Sequence, residues 1–211
     1  MLPNTPSAYV VLLPLTALLF GGCAMTPIAA VSYVPPPIGA SWTQSITSTG
    51  SFGSGTSTNV FTRGERIWDG KSRISFDSKA GSILLNEQYS TVAFVAGDKP
   101  VLSWEPPHGW DWPLIAGKMW AHSHNFHNHT KGSIDPYVAT DTIEEYEEVT
   151  VPAGTFKTFR IRSVEDNGYH SVTWFSPELG IAVKQSRARS QASPNGPGTM
   201  DMEIVSQTIR K

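Results

Sequence analysis

Four of the six histidines of this 211-residue chain fall in one short run, His122, His124, His127 and His129 of HSHNFHNHT. On a strand, side chains alternate between faces, so His122 and His124 share one face while His127 and His129 share the other. A pair of neutral imidazoles two apart on a strand can hold zinc or another transition metal when a third group joins it. His108, His170 or the Asp141 to Glu148 region could supply that group. Nothing in the spacing positions one, and polar residues of an exposed strand and hairpin explain the run as well. The sequence therefore predicts no bound metal, no cofactor and no third ligand beside His122 and His124.

Other chemistry is poorly served. Gly70, Lys71 and Ser72 mimic the end of a phosphate loop, but Glu65 stands where its first glycine belongs and no helix pattern follows. Glu144, Glu145, Glu147 and Glu148 would be divided between two faces of a strand, as a solvated strand requires. Cys23 is the only cysteine, and no GxSxG, HExxH or CxxC occurs. The expectation is a protein that is not an enzyme.

The elements that must position these residues read as strands. Phe159 and Ile161 alternate with Arg160 and Arg162, and Val172 and Trp174 alternate with Ser171 and Thr173. Asp166, Asn167 and Gly168 mark a hairpin turn between them, and Ser176, Pro177 and Gly180 break the pattern before Ile181. Trp174 is expected to face one apolar layer together with Phe94, Phe159 and Ile161. A blurred copy lies earlier: glycine precedes Trp42 and Trp120 by three residues, Ile74 and Phe76 match Phe159 and Ile161, and Val92 and Phe94 match Val172 and Trp174. Two similar meander halves, 39–104 and 115–211, follow from this. Between them, Pro106, Pro107, Gly109, Trp110, Trp112 and Pro113 form an irregular linker. Its tryptophans are expected to pack on the sheet, with a stacking platform for a flat ligand as the alternative. The fold class is all-β or β-rich, a curved antiparallel sheet or open barrel.

With 16 basic against 18 acidic residues, the chain has no electrostatic footprint for nucleic acid. At its start, Tyr9 to Phe20 is apolar over the length of a secretory h-region, which makes 1–22 a signal peptide. Gly21 and Gly22 followed by Cys23 resemble a bacterial lipobox, although Phe20 stands where leucine is usual and no Lys or Arg precedes Cys23. That resemblance implies lipidation of Cys23 with acyl chains such as palmitate. Ala24 rather than aspartate after the cysteine implies sorting to the outer membrane, facing the periplasm. Residues 23–38, with the triplet Pro35, Pro36 and Pro37, read as an extended tether that carries no core residue, and 39–211 as the β-domain.

VPAGTFKTFRI, WFSPELGIAVK and WPLIAGKMW resemble a group of uncharacterised bacterial envelope proteins, many of them lipoproteins, distantly like the lipoprotein carriers of the LolA and LolB type. The cover is good from Trp104 to Ser186. The group carries no assigned catalytic residues. The resemblance implies a non-catalytic, lipid-anchored envelope protein holding a hydrophobic ligand on a curved sheet or an envelope partner on an exposed edge. The alternatives are a metal-binding protein or metal-dependent enzyme using His122 and His124, and a purely structural envelope component.

Overall fold

Segments with a period of two become strands throughout the computed structural model, which describes residues 29–30 and 32–209. The expected signal peptide, 1–22, and Cys23 lie outside the described residues. In chain order the strands are β1 (Ala29–Ala30), β2 (Ser41–Gly50), β3 (Gly55–Trp68), β4 (Lys71–Ser78), β5 (Gly81–Leu85), β6 (Thr91–Ala96) and β7 (Lys99–His108). They continue with β8 (Leu114–Ile115), β9 (Met119–Asn128), β10 (Ser133–Val151), β11 (Gly154–Glu165), β12 (Tyr169–Ser176), β13 (Ile181–Arg189) and β14 (Gly198–Gln207). No helix occurs among the described residues.

The all-β, antiparallel expectation holds, and the barrel is closed rather than open. Each long strand pairs with its neighbour in sequence, and two seams complete the wall: β7 with β9, and β14 with β2. Closure pairs the strand edges that an open sheet would leave as templates for aggregation. β1 and β8 form a separate two-stranded ladder. Trp42 begins β2 and Trp120 begins β9, while Ile74 and Phe76 lie on β4 and Phe159 and Ile161 on β11, the third strand of each series. Val92 and Phe94 lie on the fifth strand of the first series and Val172 and Trp174 on the fourth of the second, so that part of the match fails.

The faces of β12 also differ from expectation. Phe159 is opposite Phe175, Ile161 opposite Thr173 and Ser163 opposite Ser171, so Ser171, Thr173 and Phe175 share the inner face. All three are buried, and Phe175 is only 1% exposed. Val172 and Trp174 point outward. The reason is that Thr173 finds a partner inside, where Gln185 Nε2 donates to its Oγ1 at 2.8 Å. Trp174 stays half-buried outside, its indole N–H donating to Glu147 at 2.9 Å and the Lys184 ammonium lying 5.5 Å from its ring centre. Phe94 is likewise only half-buried.

The interior changes character along the barrel. At the end where β2 and β9 begin, here the proximal end, Trp42, Phe61, Phe76, Ile181 and Val183 form one apolar cluster, and Tyr33, Leu114, Ile143, Phe159 and Phe175 another. Towards the distal end the inward positions turn polar: Trp120 gives way to His122 and His124, Ile161 to Ser163 and Glu165, and Thr173 to Ser171 and Tyr169.

Tyr33 corrects the expectation that 23–38 carries no core residue. It is 8% exposed, its hydroxyl donates to the Gly180 carbonyl at 3.2 Å, and its ring centre lies 4.9 Å from Tyr89. Gly180 makes this approach feasible, because a Cβ there would stand 2.3 Å from the Val34 carbonyl oxygen. Residues 32–40 thus form a strap across the proximal end. The linker tryptophans pack beside it, Trp110 edge-on to Phe175 at 5.1 Å and Trp112 at 6.0 Å.

Candidate metal centre

Prolines set up the centre. Pro106 and Pro107 have no N–H to offer a neighbouring strand, and the ladder between β7 and β9 runs only from Leu102 opposite Asn128 to Glu105 opposite Asn125. Beyond it the strands part. A cleft of about 520 Å³ opens there, lined by Glu105, Pro106, His124, Asn125, Tyr137 and Asp166 among others. On the far side β9 and β10 remain paired, with His124 opposite Tyr137 and His122 opposite Ala139. The small Ala139, fully buried, leaves room over His122.

His108, at the end of β7, comes to His122 and His124, and one ligand atom from each lies within 4.8 Å of the others. The expectation of no third group beside His122 and His124 is therefore corrected: His108 is one, and Asp141 also adjoins. The sequence named His108 and the Asp141 region as possible third groups but could not place them, because His108 reaches the pair only through barrel closure. Tetrahedral zinc, with Zn–N of about 2.0–2.1 Å, needs nitrogens about 3.3 Å apart, a modest side-chain adjustment from this arrangement.

Each imidazole has one nitrogen engaged away from the common point. His122 Nε2 meets Asp141 Oδ2 at 2.5 Å, His124 Nδ1 meets the Pro106 carbonyl at 2.8 Å, and His108 Nδ1 meets the Tyr137 hydroxyl at 2.9 Å. Metal-binding histidines are oriented by outer partners of this kind. A carbonyl only accepts, so His124 Nδ1 carries the proton and its Nε2 presents a lone pair. The same logic at the Asp141 carboxylate assigns a lone pair to His122 Nδ1, which is directed at His124 Nε2. Two facing lone pairs repel unless a proton or a metal ion comes between them.

The electrostatics favour neutral rings at His108 and His124. Burial, followed by the neighbouring His124, pushes the pKa of His108 down to about 4, and burial lowers that of His124. Asp141 is 1% exposed, and its Oδ1, like Ser163 Oγ opposite it, is buried without a hydrogen-bond partner among the described residues. An unpaired buried carboxylate oxygen is costly.

Glu165 lies in the same layer, opposite Ala139. Burial pushes its pKa up to about 7, against the hydrogen bond donated by Asn167 at 2.7 Å. A carboxyl raised in the fold contributes stability that is present below its ordinary value of 4.5 and lost as the pH rises through 7. In chelator-treated protein, Glu165→Gln is thus expected to gain stability over the parent between pH 4.5 and 7, by at most roughly 3 kcal/mol. Urea melts of both proteins across that range check it; a pH-independent difference would contradict the assignment.

The remaining candidates lie elsewhere. His127 and His129 occupy the outer face, His127 Nε2 at 3.8 Å from Glu105 and His129 Nε2 at 2.8 Å from Ser103 Oγ. His170 is exposed, opposite Val164 and Ala188. Glu144 pairs with Arg160 at 2.7 Å and Arg162 at 2.5 Å, and these guanidiniums hold its carboxyl below the usual range against the opposing effect of burial. That network, with Glu147 at 3.6 Å from Arg160, is structural. Tyr137, the Pro106 carbonyl and Glu165 were not foreseen; only alternation along β10 and β11 could have marked Tyr137 and Glu165 as inward.

No family model and no curated protein matches this chain. Among solved structures it is similar to the hypothetical lipoprotein YmcC of Escherichia coli K12, at 10% identity and a TM-score of 0.46, covering 80% of this chain and 88% of that one. It is also similar to a protein from Bacteroides fragilis described as exported and YmcC-like in fold, at 10% identity and a TM-score of 0.44, covering 85% and 100%. A third, described as a lipoprotein from Parabacteroides distasonis, has 9% identity and a TM-score of 0.43, covering 84% and 99%.

Proposed function

We propose that this chain is a lipid-anchored envelope barrel that binds one transition-metal ion, zinc or copper before harder ions, through His108, His122 and His124. The observation that carries this reading is the convergence of three histidines whose other ring nitrogens are each engaged by Asp141, the Pro106 carbonyl and Tyr137. By that pattern the ligand atoms are His108 Nε2, His122 Nδ1 and His124 Nε2. Imidazole suits these metals, whereas magnesium and calcium select oxygen. The protein holds the ion rather than turning over a substrate. Anchoring rests on Cys23 after Gly21 and Gly22, with the outer membrane as its address from Ala24.

A hydrophobic ligand is served less well, because the apolar part of the interior is filled by the protein's own side chains, with Phe159, Phe175, Ile181 and Val183 all at 0 or 1% exposure. The test is metal content by mass spectrometry on protein produced without a histidine tag. About one equivalent of zinc or copper should survive dialysis and be absent from His122→Ala, His124→Ala protein. Protein that carries none, and that takes up neither ion at micromolar concentration in calorimetry, refutes the proposal.

A further inference from the structure

We infer that the proximal end of the barrel rests on the phospholipid surface, with Val34 and Ile38 of the strap against the headgroup layer. The inference rests on the anchor at Cys23 proposed above, and on the course of the chain that follows it. From Ala29 onward this chain is not a free tether. Ala29 and Ala30 pair with Ile115 and Leu114, Tyr33 is buried and bonded to Gly180, and the Gly39 N–H donates to the Arg63 carbonyl at 2.8 Å.

Only residues 24–28 separate Cys23 from β1. At about 3.3–3.6 Å per residue, the six steps from Cys23 to Ala29 span roughly 20 Å at full extension. A ten-residue strand such as β2 is roughly 33 Å long. Even with barrel tilt, the leash is shorter than the body it holds, so the distal loops cannot turn to the membrane. The leash therefore keeps the proximal end beside the surface.

The chemistry of that end agrees. Three large apolar side chains are exposed there: Val34 at 53% and Ile38 at 68% on the strap, and Met119 at 65% at the start of β9. Apolar side chains at a protein's membrane face bury themselves at the boundary between headgroups and acyl chains. The distal loops are mostly polar, with Gly53, Ser54, Asn167, Ser190 and Asn195, and Ile134 at 60% is the large exposed apolar side chain beside them. An anchored barrel standing this way presents its polar end to the periplasmic space.

The experiment uses the full-length lipidated protein, extracted from membranes and reconstituted into vesicles of phosphatidylethanolamine and phosphatidylglycerol. Ile38→Cys and Ser54→Cys, both at exposed positions, are reacted with a polyethylene glycol maleimide. Ile38→Cys is expected to react at least tenfold more slowly, and a flexible insert of about twenty residues after position 28 should bring the two rates together. Equal rates in protein whose intact mass includes the diacylglycerol would overturn the orientation alone. An intact mass without diacylglycerol would overturn the anchor, and the orientation with it.

Discussion

Replacing His108 with alanine is expected to weaken zinc or copper binding by a hundredfold or more, a loss of about 2.7 kcal/mol. His122 and His124 alone would hold an ion by two nitrogens from one strand, and such a pair exchanges readily. His108 comes from the other side of the cleft, so its removal leaves the ion open to water on that flank. Asp141→Asn and Tyr137→Phe keep the three ligands and disturb only their orientation, for which losses of about 10- to 100-fold are usual. Competition against a chromophoric chelator measures all three variants. A His108→Ala affinity within threefold of the parent would reduce the centre to the two-histidine pair.

Phe175→Ala is expected to cost about 3–5 kcal/mol, as for a fully buried aromatic, whereas Trp174→Ala should cost only about 1–2. Phe175 is 1% exposed and meets Tyr33, Tyr89, Trp110 and Trp112, with ring centres between 5.0 and 6.3 Å away. Trp174 lies on the opposite face, half-buried, with one hydrogen bond, one cation contact and packing against the edge of an apolar cluster. The first loss would consume much of a typical domain's stability. Denaturant melts of the two variants decide the matter, and a Trp174 variant as damaged as the Phe175 one would reverse the face assignment of β12.

Alternation made the strands legible, and it put His122 and His124 on one face and His127 and His129 on the other. It could not choose the inner face of β12, where a larger residue, Trp174, has more apolar surface to bury than Thr173 but is placed outside by its pairing to Arg160. Tyr33 was illegible because a proline-rich stretch has no period to read. His108 was illegible because its position depends on β7 closing against β9, a contact between segments joined by an irregular linker. Closure itself is a property of accumulated twist and register, which local composition does not encode.

The split beyond Glu105 makes the β7 to β9 seam the short one, four register pairs against nine where β14 meets β2. The candidate ligands straddle that split, His108 on one lip and His122 and His124 on the other. An ion held there is a rivet as well as a cargo. Loading the site would fasten this short seam, and unloading would let it breathe, so that occupancy and the mechanical integrity of the seam are one variable.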